Sequence, residues 1–320
     1  MLSILHFIWM LIIGLIVLSF LAGSAMFLIW LERKVSAHIQ SRLGPMRVGW
    51  HGILQSIADT IKLLLKEDIR PVKADKLIWW LAPFFVVVPS VMAFVVIPFG
   101  KTLIVKDLNV GILYIMAISS VGVIGIFMAG WGSNNKYSLL GGMRSAAQII
   151  SYEIPLILSI IIVVMHANSL SMQKIVAAQS GYWYIFYPNM ALAFVVYIIS
   201  ATAEVNRTPF DIPEAESELA AGFHTEYSGM KFAMFFVGEY TNVFIVSAIA
   251  TTLFFGGWHG YIFPPIVWFL GKTYSIVFIL MWAKWTFPRV RVDQLMGFAW
   301  KVLTPISLVN LAITGWLLLK

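Results

Sequence analysis

The chain has 320 residues, of which 60% are hydrophobic and only 12% charged. Soluble domains carry about 25% charged residues, so a water-soluble globule, a disordered chain and a coiled coil are excluded; mean hydropathy is +0.87. The net charge of +7 fits basic inside loops of a membrane protein, and the absence of cysteine excludes disulfides, thiolate zinc, thiolate-held iron–sulfur clusters and c-type haem.

A bilayer core about 30 Å thick needs about 20 apolar helical residues to cross it. Apolar runs predict eight spans, at roughly 4–31, 77–99, 110–131, 149–166, 190–203, 232–256, 265–286 and 302–319. The first run lacks a basic n-region and a small-residue cleavage site, and continues into Glu32-Arg33-Lys34. It is therefore expected to be a retained span and not a signal. The runs are continuous, not alternating, which excludes an outer-membrane barrel. Loops after the odd spans hold sixteen Lys and Arg, and those after the even spans hold three. That bias puts the odd loops in the cytoplasm, or in the matrix of a mitochondrion, and both termini on the opposite side. No loop is long enough for a soluble domain, so one all-α membrane domain over 1–320 is expected.

Segment 50–67, WHGILQSIADTIKLLLKE, is amphipathic. Trp50, Ile53, Leu54, Ile57, Ala58, Ile61, Leu64 and Leu65 share one helical face; Gln55, Asp59, Lys62 and Lys66 share the other. Such a helix lies in the interface with its apolar face down. It could be a linker, or a wall of a lipid-side entrance for an apolar substrate.

Loop 204–230 holds Glu204, Asp211, Glu214, Glu216, Glu218 and Glu226 against one base, Arg207. Asp211-Ile212-Pro213-Glu214 has the pattern of a helix start. Phe210, Leu219, Phe223 and Tyr227 interleave the acids, which a solvated loop would not require. Partly buried carboxylates have raised, mutually coupled pKa values suited to proton relay. Two more acids fall within spans: Glu153, about a turn into the fourth with Pro155 behind it, and Glu239, about 12 Å beyond Lys231. Intramembrane acids usually face polar cavities and mark function. The six histidines show neither metal-ligand spacing nor bis-haem stacking. A Walker A motif and a GxGxxG after a strand are both absent.

The strings ERKVSAHIQSRLGPMRVG (32–49), GILQSIADTIKLLLKEDIRP (52–71), SAAQIISYEIPL (145–156), AEVNRTPFDIPEAESELAAGFHTEYSGMKFAMFFVGEYTN (203–242) and FPRVRVDQLM (287–296) resemble one family. That family is the membrane H subunit, also called subunit 1, of NADH–quinone oxidoreductase, respiratory complex I. The likeness covers nearly the whole chain. It departs at Met46, where the family usually has Asn, and at Val292, where an aromatic is usual. The resemblance implies a subunit at the junction of the membrane and peripheral arms, in a bacterial inner membrane or, as the alternative, a mitochondrial one. With peripheral subunits it would form a quinone tunnel, entered between span 1, span 6 and the amphipathic helix. Arg33, Arg207 and Arg291 match family arginines of the inside face; Trp50, Ile57, Ile61, Phe223 and Asp293 complete the implied tunnel and inside-loop set. Glu153, Glu204, Asp211, Glu214, Glu216, Glu218, Glu226 and Glu239 would begin a charged path toward proton-pumping partners. Quinone would be the substrate, with NADH, FMN and iron–sulfur clusters in partner subunits and no redox centre here. Three alternatives stay open: the equivalent subunit of a membrane-bound hydrogenase or other donor–quinone reductase, a stand-alone cation transporter, and a structural anchor.

Overall fold

The structure, a computed structural model, describes residues 2–213, 219, 221–260 and 262–319. Ten α-helices stand among them: α1 (Leu2–Ile39), α2 (Gln55–Leu65), α3 (Lys76–Ala93), α4 (Gly111–Gly132), α5 (Lys136–Ala167), α6 (Met172–Ala178), α7 (Pro188–Glu204), α8 (Gly229–Phe254), α9 (Pro265–Thr286) and α10 (Val292–Leu318). No strand occurs among the described residues. Seven helices are long and apolar enough to cross a bilayer: α1, α3, α4, α5, α8, α9 and α10. The fifth expected span is α7, at 17 residues shorter than those seven. The fold is an integral membrane, all-α bundle.

Two spans begin earlier than their hydropathy suggests. Expected near 149, the fourth starts at Lys136 and runs for 32 residues. Its polar first half stays helical because its side chains find partners between the end of α7 and the start of α8. Ser138 donates to the carbonyl of Phe223, and Gln148 donates to those of Ala203 and Phe210. Glu153 consequently lies near the middle of α5, not a turn from its start. The last span starts at Val292, not near 302, and carries one π-turn at Ala299–Leu303. The amphipathic segment is helical only from Gln55 to Leu65. Before it, a 3₁₀ turn at Trp50–Gly52 reverses the chain. Gly52, at φ 74°, packs so closely on Pro45 that a Cβ would come within 2.3 Å of the Pro45 carbonyl oxygen.

Lipid is as apolar as any side chain, so close packing and internal hydrogen bonds must hold such helices together. Phe20 of α1 meets Phe94, Phe99 and Phe244 edge-on at 5.9, 5.3 and 5.7 Å. Near the start of α3, Trp79, 1% exposed, stacks flat on Tyr227 at 3.7 Å. Ser228 accepts from the Ile69 amide, and Lys231 pairs with Asp68 at 2.7 Å. These contacts tie the loop that precedes α8 to the chain that follows α2.

Removing the Trp79 ring leaves a cavity beneath the loop that carries Tyr227. Trp79→Ala should cost about 3–5 kcal/mol, seen as a lower thermal midpoint in detergent; a midpoint equal to wild type would mean the loop does not rest on this stack.

Candidate functional site

Four charges from four segments converge at the end of the bundle that carries the turn after α7. Glu32, in the last turns of α1, is 5% exposed. Its carboxylate accepts from Arg207 Nη1 at 2.8 Å and from Lys284 Nζ of α9 at 2.6 Å. Arg207 also lies with Nε 3.0 Å from Glu239 Oε1 of α8, and its guanidinium stands 4.4 Å above the Tyr240 ring. The four formal charges cancel. Burial alone would push the guanidinium toward neutrality; the Glu239 and Glu32 carboxylates outweigh burial and hold it above its ordinary value. Among the described residues its ion-pair partners are Glu32 and Glu239, which it reaches because the chain turns back after α7.

Beside this cluster lies a cavity of about 100 Å³. Its lining includes Glu204, Asn206, His224, Glu239 and Asn242, with apolar walls from α3, α4, α5 and α8. That volume has room for several water molecules. Ser90 donates to Asn242 within it at 2.8 Å. Burial pushes the His224 imidazole down to about 4, so at neutral pH it is uncharged. Glu153 stands on α5, where its carboxylate accepts from Ser120 at 2.6 Å. Loop 203–210 is fixed to α5 by Gln148, 1% exposed, and by Asn206, which donates to Ser145 at 3.0 Å. Phe223, also in the cavity wall, packs against Phe235 and His224.

The remaining expected residues fall elsewhere. Glu226 accepts from Asn135 at 2.5 Å and lines a separate surface groove with Lys73 and Lys136. Asp211, expected as a helix cap, pairs with Arg289 at 3.2 Å. Glu214, Glu216 and Glu218 lie outside the described residues, as does most of the helix expected there. Arg291 and Asp293 are exposed at the start of α10. Arg33 donates to Asp59 at 2.5 Å and so pins α2 against the end of α1. On α2 and its leading turn, Trp50 is 80% exposed and Ile57 and Ile61 about half, an uncovered apolar face beside the basic loops. No three His, Cys, Asp or Glu side chains gather in metal-binding fashion among the described residues.

Two charged members of the cluster, Glu32 and Lys284, escape a reading of the sequence for function. Both sit at span ends, where a charged residue ordinarily reaches water. The available signal was balance: an arginine in a largely apolar neighbourhood needs carboxylates, and Glu32 closes the first span.

A family described as NADH dehydrogenase matches residues 12–315 of the chain. One of the NADH-quinone oxidoreductase H subunits of Geobacter metallireducens, that numbered 1, is 53% identical over 92% of this chain and 92% of its own length. The H subunit of the same enzyme in Dehalococcoides mccartyi is 56% identical over 94% and 84%. That of Phocaeicola vulgatus is 49% identical over 94% and 88%.

The buried cluster and the exposed pair should respond differently to loss of one carboxylate. Glu32→Ala strands two cations inside the bundle and should cost about 3–5 kcal/mol. Asp59→Ala removes a partner from the half-exposed Arg33 and should cost about 0–1 kcal/mol. Thermal unfolding of the two variants in one detergent checks the contrast; equal midpoints would mean the Glu32 pairs contribute no more than surface ones.

Proposed function

The chain belongs to the H-subunit family of NADH–quinone oxidoreductase, and on that premise we propose that it forms the membrane wall of a quinone tunnel and relays protons through its buried carboxylates. It is a membrane subunit of a multi-subunit oxidoreductase. Quinone reduction consumes two electrons and two protons. The electrons come from NADH through flavin and iron–sulfur centres of peripheral subunits, since a chain without cysteine cannot hold such clusters by thiolates. The protons and the electrostatic response fall to this chain.

The observation that carries the reading is the cavity bounded by Glu204, Glu239 and His224, flush against the Arg207 cluster. A new negative charge on the quinone headgroup at the inner loops would be felt by Arg207, whose field Glu32 and Glu239 share. Any change in that sharing alters the proton affinity of Glu239, which opens on the cavity. Glu204 and Glu153, on neighbouring helices α7 and α5, extend the path toward adjoining membrane subunits. Protons move along such a row of carboxylates and water only if each site can bind and release one. The inner face lies in the cytoplasm of a bacterial cell, following the basic loops.

The apolar tail enters beside α1 and α8, over the uncovered face of α2. Arg33 and Asp59 hold that helix in place, and Trp50, Ile57 and Ile61 give it a lipid-compatible surface.

Two sets of variants test the reading. Ile57→Lys and Ile61→Lys should lower turnover with a long-tailed quinone severalfold, and leave reduction of an artificial acceptor that draws electrons upstream nearly unchanged. Equal loss with both acceptors in an assembled complex would make α2 structural. Glu153→Gln and Glu204→Gln keep shape and remove a titrating site. Both should preserve assembly and upstream electron transfer, and depress NADH–quinone turnover and proton pumping in vesicles together. Normal turnover and pumping in both variants would rule out the relay.

A further inference from the structure

At the end of the bundle remote from the Arg207 cluster, the turn between α8 and α9 differs from its neighbours in charge. From Tyr240 to Gly271 the sequence holds no Asp, Glu, Lys or Arg. The segments after α3 and after α5 carry exposed charges, Lys101, Lys106 and Asp107 in the one and Lys174 in the other. Residues 262–267, IFPPIV, are all apolar and all exposed, Ile262 by 80% and Phe263 by 58%. Two of them are prolines, which have no N–H to leave unsatisfied. Such an edge is unfavourable against water and costs nothing against hydrocarbon.

Hydrocarbon penalises the backbone of a turn, because its N–H and C=O groups find no water there and must be satisfied by the protein. This turn meets that condition. Lys272, about 10 Å along α9 from Pro265 at 1.5 Å per residue, donates to the carbonyls of Phe255 at 2.7 Å, Gly257 at 3.1 Å and His259 at 2.7 Å. The amides of Phe255 and Gly257 donate to the Thr251 carbonyl, and that of His259 to the Gly256 carbonyl. The Gly256 amide donates to Oε1 of Gln179, itself 1% exposed. Within 255–259 only the Trp258 peptide groups lack such a partner among the described residues. Gly256 and Gly257 allow this shape, at φ of 68° and 51°, where residues with a Cβ are strained. A lysine near the end of a span ordinarily extends its ammonium to water. Here the carbonyls of the turn, with the Trp183 ring 4.3 Å from Nζ, stand where that water would be.

We propose that the turn between α8 and α9 is embedded in the bilayer: residues 262–267 contact lipid acyl chains, and Lys272 supplies from within the protein the hydrogen bonds that the turn cannot take from water. The edge continues the exposed apolar side of α9, on which Val267, Phe278 and Trp282 recur at helical spacing. Span and turn thus present one apolar surface. A protein partner would ordinarily pair with polar groups, since protein interfaces carry about one hydrogen bond per 100–200 Å². Residues 262–267 offer no polar side chain for that, which favours acyl chains as the occupant. The placement is independent of the quinone and proton readings.

The test uses the assembled complex in lipid nanodiscs, where water reaches both faces of the bilayer. The chain has no cysteine, so one introduced cysteine reports on this subunit alone once the subunits are separated on a denaturing gel. Ile262→Cys should react with a charged maleimide about tenfold more slowly than Lys106→Cys, because a thiol in hydrocarbon stays protonated and unreactive. A photoreactive benzoylphenylalanine in place of Phe263 should crosslink to phospholipid. Equal labelling of the two cysteines would overturn the proposal by placing the turn in water. A crosslink to another subunit in place of lipid would overturn it by placing a protein there. Lys272→Met combined with Ile262→Cys should label severalfold faster than Ile262→Cys alone, as the freed carbonyls draw the turn toward water. Lys272→Arg, which keeps N–H donors, should stay slow. Labelling unchanged by Lys272→Met would overturn the part assigned to the lysine. The two probes beside an unaltered Lys272 decide the placement even where the Lys272→Met complex does not assemble.

Discussion

One end of this bundle depends on a single buried ion cluster. Arg207 and Lys284 share Glu32, and Arg207 also meets Glu239. Taking a single charge of this kind out of water costs several kcal/mol, and removing one partner from a buried pair is strongly destabilising. The cluster is tolerable only because its charges balance and because four segments supply one member each. The end of α1, the turn after α7, the inner half of α8 and the end of α9 are thereby fixed to a common point. Loop 203–210 is then held between that point and α5 by Gln148 and Asn206.

In that arrangement the charged groups are paired with partners fixed on helices. The field of Arg207 is divided between two carboxylates, one of which, Glu239, lines the cavity. A low-dielectric surrounding strengthens each of these interactions. At the opposite end of the bundle Lys272 donates to three backbone carbonyls.

Composition and the distribution of basic residues were sufficient for the membrane class and the approximate positions of the helices. These properties depend on transfer of local segments between water and lipid, which each segment carries by itself. The aromatic residues between the acids of loop 204–230 already implied burial, and Phe210, Leu219, Phe223 and Tyr227 are each less than 10% exposed. Helix ends were less legible. The start of α5 contains polar residues that lower its hydropathy, yet it remains helical because partners distant in sequence satisfy them.

The sequence by itself therefore determined a cysteine-free, all-helical membrane subunit with an amphipathic helix after its first span and carboxylates inside its spans. Only the tertiary structure decided how those carboxylates are divided. Glu32, which no motif marks as part of the site, became its centre; Glu226 and Asp211 were drawn to separate partners; Arg207 met acids of α1 and α8. The physical reason is that an ion pair is decided by distance between side chains on different helices. Glu32 and Lys284 are 252 positions apart and 2.6 Å from one another. No pattern within one segment encodes such a meeting, whereas hydropathy, which needs no partner, is written in each segment alone.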